Sequence, residues 1–164
     1  MEIRPARVAD AAGIADVHVR TWQAAYPHVF GAERLAGLDG EARAERWARV
    51  LRDGEAVFVS DEEGRVVAFV SVGPAQDDDQ VGELYAIYAL PEAWGTGAGR
   101  TLIRAGVQAL REAGYRAATL WVLEDNPRAR SFYETAGWAP DGATKAHERW
   151  GVRAPELRYR KRLS

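Results

Sequence analysis

The sequence predicts a mixed sheet flanked by helices, an α/β (α+β) domain. Three observations predict it. Apolar residues recur at helical spacing through the first fifty or so positions, at Ile14, Val17 and Trp22 and again at Trp47, Val50 and Leu51. The period then switches to strand-like runs, Ala56–Ser60, Val66–Val72 and Leu84–Leu90, separated by polar turns. After them a glycine-rich turn opens a new helical stretch, and helix and strand alternate to the end of the chain.

Each element has a local reason. Ile3–Ala6 reads as a short first strand. A helix follows from Asp10, which is placed to cap it, and Pro27 stops it. A second helix covers Gly40–Arg52 and ends at Asp53-Gly54. Ala56–Ser60 and Val66–Val72 form a hairpin about Asp61-Glu62-Glu63-Gly64. Gln76–Gln80 is a polar loop with three consecutive aspartates, read as a solvated tip. Leu84–Leu90 is an apolar, aromatic strand closed by Pro91. A helix over Gly97–Ala113 is capped by Gly114. Ala117–Leu123 is a buried strand, and Asp125-Asn126-Pro127 begins a helix that ends at Gly137. Trp138–Pro140 is short and extended, and the alternating Leu157–Arg162 closes the chain as an edge strand whose arginines block aggregation. The order is β α α β β β α β α β β.

A chain of 164 residues is the size of one domain, and we read residues 1–164 as one. There is no cysteine, which excludes disulfide frameworks, thiolate metal sites and cysteine nucleophiles. No pair of histidines has metal-ligand spacing, so no metal is expected. The formal net charge is −2, which gives no reason to expect a nucleic acid or an anionic membrane as partner. Met1–Pro5 lacks the apolar run of a signal peptide, and no window reaches the length of a membrane span. The expected location is cytoplasmic.

The most informative stretch is Leu90-Pro91-Glu92-Ala93-Trp94-Gly95-Thr96-Gly97-Ala98-Gly99-Arg100. A strand ends, a glycine-rich loop turns, and a helix begins. Such a loop lets the backbone approach a ligand closely, and the helix start offers unpaired N–H groups and partial positive charge. Together they form a phosphate cradle. A Walker loop needs a Gly-Lys pair, and the chain has none. The Rossmann fingerprint fails in both registers, because its third glycine falls on Arg100 or on Leu102. The remaining ligand class is the pyrophosphate of coenzyme A.

At these residues the sequence resembles the GNAT acetyltransferase superfamily, whose signature is [Q/R]-x-x-G-x-[G/A]. Gly97 and Gly99 occupy the small positions, and Trp94 stands where the family usually has Gln or Arg. The segment from Glu124 to Trp138 is similar to the family's N-x-x-A-x-x-F-Y-E-x-x-G-F element, with Trp138 for the usual Phe. The opening Ile3-Arg4-Pro5-Ala6 and the helix after it also look like the family. The resemblance implies a mostly antiparallel central sheet of six or seven strands flanked by about four helices. It also implies acetyl transfer from acetyl-CoA to a small-molecule or peptide amine; a homodimer is an open alternative. A non-catalytic acyl-CoA-binding module on the same fold is the other reading of the chain. Glu83, Asn126 and Tyr133 together favour the enzyme.

The resemblance also assigns roles. A backbone N–H near Ile87, Tyr88, Ala89 and Leu90 polarises the thioester carbonyl, where a bulge opens the sheet for the cofactor arm. An alkyl amine with a pKa of about 10.4 is almost wholly protonated at neutral pH, so a base is needed. Glu83, at the start of the fourth strand, is the candidate base, acting directly or through water. Tyr133 is the candidate acid toward the leaving thiolate and touches the cofactor. Gly95, Thr96, Gly97, Ala98, Gly99, Arg100 and Thr101 form the cofactor loop with Trp94, and Asn126 caps its helix and touches the cofactor arm. Trp22, Tyr26 and His147 are candidate acceptor-binding residues, His147 with Glu148 on the loop before the last strand. Trp47 and His18 read as core residues, and His28 as an exposed turn histidine.

Overall fold

The computed structural model describes residues 1–164. Seven strands form one sheet in the order β1-β2-β3-β4-β5-β7-β6. They are β1 Glu2–Pro5, β2 Ala56–Glu62, β3 Arg65–Pro74, β4 Gly82–Ala89, β5 Ala117–Leu123, β6 Ala139–Arg149 and β7 Val152–Arg162. Every neighbouring pair is antiparallel except β4 and β5. Four long helices, α1 Ala11–Ala25, α4 Gly40–Arg52, α5 Ala98–Glu112 and α6 Pro127–Thr135, flank the sheet, with two short ones, α2 Pro27–Phe30 and α3 Ala32–Ala36, between α1 and α4. The expected mixed, mostly antiparallel sheet with helices on its faces is what forms. No helix is long and apolar enough to cross a membrane.

The sheet sits between two apolar layers because β3 is buried from Val66 to Val72. Alternate residues of a strand point to opposite faces. Val70 and Val72 therefore meet α5 through Leu102, Ile103, Val107 and Leu110. Val67 and Phe69 meet α1 and α4 through Ile14, Val17 and Trp47. Each such side chain contributes about 1.5–3 kcal/mol by leaving water. This two-sided burial is why β3 reads as a continuous apolar run and not as an alternation.

Four local expectations are corrected. Asp10 does not cap α1, since its carboxylate accepts from the Arg7 amide at 2.7 Å and from Arg4 at 2.8 and 2.9 Å. An arginine four positions into the chain outcompetes the helix amides because its charge and fork geometry make two bonds at once. The bulge in β4 falls at Tyr85, between Ala86 opposite Ser71 and Leu84 opposite Val72, and not at Ile87–Leu90. β7 is not the edge strand; it lies between β5 and β6, and β6 is the edge. The last two strands are eleven residues each, far longer than Trp138–Pro140 and Leu157–Arg162, so His147 and Glu148 lie within a strand. Arg, Lys and Glu are scattered through both strands, which mutes the apolar alternation that reveals a strand.

Candidate active site

β4 and β5 pair only at Gly82 with Ala118 and Glu83 with Thr119, then diverge. The bulge at Tyr85 turns β4, and beyond it β4 keeps its pairing to β3 alone. The gap becomes a cleft of about 1910 Å³, bounded by β4, β5, the starts of α5 and α6, and α1. That volume exceeds the usual range for compact small-molecule sites and suits a long ligand.

Pairing alternates along β4, and Leu90 donates to the Val67 carbonyl at 2.9 Å. The peptide groups of Ile87 and Ala89 are therefore turned away from β3, toward the cleft. Thr21 Oγ1 and Trp94 Nε1 donate to the Ala89 carbonyl at 3.1 and 2.9 Å. Within Ile87–Leu90, the open amide donors are thus those of Ile87 and Ala89. The amide of Leu90 is spent on β3, and that of Tyr88 faces β3 as well.

The glycine loop closes one end of the cleft. Gly95 and Gly97 have φ of 77° and 91°, where an added Cβ would point into open space. Thr96 Oγ1 donates to the Ala93 carbonyl at 2.6 Å and Thr101 Oγ1 to the Gly97 carbonyl at 3.0 Å, which fixes the turn. The amides of Gly99 and Arg100, in the first turn of α5, have no helical partner. Gly99 has a second reason to be small: a Cβ there would lie 3.2 Å from Phe132, so the residue lets α5 and α6 approach.

Glu83 stands at the hinge where β4 and β5 part, 8% exposed. Its Oε1 accepts from the Gln76 amide at 3.3 Å. Burial raises its carboxyl from its ordinary value, the Gln76 bond and Lys145 oppose this, and Asp77 and Glu156 reinforce it. Tyr133 is buried on α6, with its ring against Phe132, and it lines the cleft. Burial drives its phenol pKa strongly up, so the hydroxyl keeps its proton. Asn126 caps α6 by accepting from the Ala129 amide at 3.1 Å, and its Nδ2 donates to the Tyr26 hydroxyl at 3.2 Å.

Trp22, Tyr26, Tyr88 and His147 add aromatic rings to the lining of the same cleft. Trp22 donates from Nε1 to the Tyr88 hydroxyl at 3.2 Å and stacks on Phe30 with centroids 5.7 Å apart. His147 presents its ring to Trp22 and Phe30 at 5.8 and 5.9 Å, and its Nδ1 lies 4.0 Å from Glu156. Its Nε2 is buried without a partner. Trp22, Tyr26 and His147 do line the cleft together, while Trp47 does not. His18 is wedged among Trp22, Trp47 and Tyr88, where burial and three arginines push its pKa down to about 3. His28 donates to the Asp125 carbonyl at 3.0 Å at the rim. Trp121, Arg128, Lys145 and Glu156 also line the cleft and were not legible as site residues. Glu156 and Lys145 are cross-strand neighbours on β7 and β6, so only the pairing of the last hairpin brings them there. No group of three or more His, Asp or Glu side chains is placed to hold a metal ion.

A long apolar-and-polar cleft ended by open helix amides, with a raised carboxyl at its hinge, fits a nucleotide-bearing acyl donor. Comparison with known proteins agrees. Residues 15–138 match the acetyltransferase (GNAT) family. The N-acetyltransferase YuaI of Bacillus subtilis (strain 168) is 35% identical over 159 residues, covering 94% of this chain and 89% of that protein. Among solved structures, yncA, a putative acetyltransferase from Salmonella typhimurium with its cofactor acetyl-CoA, superposes with a TM-score of 0.77 at 22% identity, covering 100% of this chain and 94% of that one. The paia N-acetyltransferase from Thermoplasma acidophilum in complex with coenzyme A gives 0.74 at 18% identity, covering 98% of each. The chain belongs to the acetyltransferase (GNAT) family.

Proposed function

We propose that this acetyltransferase, acting as one domain over residues 1–164, uses acetyl-CoA as donor and a primary amine as acceptor. The observation that carries the reading is the parting of β4 from β5, which leaves open peptide groups along β4 between a buried carboxyl and a glycine-rich helix start. When bound, acetyl-CoA supplies a thioester carbonyl for attack by the amine. The residues present fit it: the amides of Gly99 and Arg100 at the start of α5 face phosphate, and those of Ile87 and Ala89 face the pantetheine arm and the carbonyl oxygen.

Glu83 takes the proton of the acceptor ammonium, directly or through one water. A carboxyl raised by burial is a better base than an exposed one, because its pKa lies closer to that of the amine it must deprotonate. Tyr133, the acid candidate, holds its proton at physiological pH and offers that O–H as a hydrogen bond to the leaving sulfur. Asn126 orients the start of α6 and, through Tyr26, the acceptor wall. Trp22, Tyr26 and His147 bound the acceptor end, and Glu156 adds a carboxylate beside His147.

The test is calorimetric titration with acetyl-CoA, with NAD and ATP as controls, followed by an amine panel read by thiol release. Saturable binding of acetyl-CoA alone, with amine-dependent thiol release, is the expected result. Failure to bind acetyl-CoA overturns the donor reading. Binding without thiol release for any amine overturns the roles given to Glu83 and Tyr133.

A further inference from the structure

Trp94 occupies the turn between β4 and α5, and its indole N–H is already committed to the Ala89 carbonyl at 2.9 Å. It has no donor left for a ligand. Its ring nevertheless carries a cation: the guanidinium carbon of Arg128 lies 3.6 Å from the ring centroid. Arg128 comes from the first turn of α6, two residues after the Asn126 cap. The stack therefore ties the start of α6 to the loop that starts α5.

Arg128 has no carboxylate to neutralise it, and among the cleft arginines it is the one seated on an aromatic ring of the glycine loop. Arg4, Arg20, Arg65, Arg153 and Arg158 each hold a carboxylate within 4 Å. Arg128 is in no such pair, and the one perturbation of its guanidinium is partial loss of water. The Arg128 guanidinium sits over the indole and makes no side-chain hydrogen bond within the protein, so its N–H fork, which matches phosphate oxygens, stays open to a ligand. Stacking also removes side-chain freedom before a ligand arrives, which lowers the entropic cost of binding.

The position selects the ligand. Glu83 and Ala89 are six residues apart on β4, about 20 Å in an extended strand. Trp94 is bonded to the Ala89 end, so Arg128 stands at the far end of the cleft from the carboxyl that faces the acceptor. What lies there is the open start of α5, which is complementary to an anion. We propose that Arg128, held on Trp94, binds a phosphate of the donor nucleotide. The proposal rests on the acetyl-CoA reading above and adds to it a residue outside the glycine loop.

The experiment is calorimetry of the wild type, Arg128→Ala and Arg128→Lys with coenzyme A, 3′-dephospho-coenzyme A and pantetheine. Arg128→Ala is expected to weaken coenzyme A by about tenfold or more, with Lys recovering part of the loss. Wild-type affinity should fall more steeply with added salt than that of the Ala variant. An equal loss for 3′-dephospho-coenzyme A supports the proposal and assigns the pyrophosphate; a loss confined to coenzyme A supports it and assigns the 3′-phosphate. Pantetheine, which has no phosphate, should bind the two proteins alike. Unchanged coenzyme A affinity, or an equal loss for pantetheine, overturns the role of Arg128. Wild-type protein that binds no coenzyme A overturns the donor reading beneath it. Arg128 is exposed, so its substitution should leave the melting temperature unchanged. Trp94→Phe, which keeps a ring for stacking, is the second variant and should retain more affinity than Trp94→Ala.

Discussion

Asp10 and Glu83 are equally buried, each 8% exposed, yet their carboxyls are driven in opposite directions. At the N-terminal corner, Arg4 donates to Asp10 at 2.8 and 2.9 Å and to Asp61 at 3.0 and 3.3 Å, and the Arg7 amide adds a third donor to Asp10. Hydrogen bonding to Arg4 holds the Asp10 carboxyl below its ordinary value. At the cleft hinge, Glu83 has one amide at 3.3 Å and no cation within ion-pair distance, so burial dominates and raises it. The first region spends its charges on closing β1 against β2 and the start of α1. The second leaves donors and a carboxyl under-satisfied along the open cleft. Equal burial thus lowers one carboxyl and raises the other, and the supply of partners decides which.

Glu83→Gln should lower kcat/KM by about 10²–10⁴, read by thiol release, while keeping the fold and coenzyme A affinity. Its stability effect should have the opposite sign to that of any change at Asp10. A raised carboxyl binds protons better in the folded state, so its contribution falls as pH rises from about 4.3 through the folded value. Between that window and pH 7, Glu83→Gln should therefore melt no lower than wild type. The acid limb of the wild-type kcat/KM profile should be shifted up from that of an exposed glutamate and vanish in the variant.

Tyr133→Phe should cost about 10²-fold in kcat with coenzyme A affinity retained. A parallel loss of affinity would instead mark the phenol as packing. Arg4→Ala removes the cation that closes the N-terminal corner. It leaves Asp10 partly buried without its cation, and should cost about 2 kcal/mol of stability with activity per folded molecule unchanged. Because the Asp10 carboxyl is held low, that contribution is present above about pH 4 and is lost as pH falls through the folded value. Chemical denaturation of wild type and variant at pH 7 and pH 3 should show the difference shrinking at the lower pH. Asn126→Ala should have the smallest effect, about 1 kcal/mol for the lost helix cap, with a rise in acceptor KM through the freed Tyr26 hydroxyl.

Much of the fold is legible because its elements carry their own patterns. The apolar runs of β2, β3 and β4, the Gly97 start of α5 and the Asn126-Pro127 start of α6 are each decided within a few residues. The glycine loop and the Asn126–Tyr133 element also reveal the family by resemblance, and with it Glu83 and Tyr133 as candidates. The β6–β7 hairpin is not legible in the same way. Its length comes from pairing with β5 and from its tip packing Trp150 against Phe30 at 5.5 Å, neither of which leaves an apolar period in the sequence.

The sequence by itself therefore determines the run of strands and the main helices, the glycine-rich helix start and the residue types available for acid–base work. These depend on backbone geometry and short-range spacing, which neighbouring residues settle. Only the tertiary structure decides which charges meet. Arg4 reaches Asp61 across fifty-seven positions, Arg128 settles on Trp94, Glu156 and Lys145 arrive through strand register, and Glu83 is left with a single amide. Desolvation and Coulomb energy depend on distance in space, and distance along the chain does not encode it.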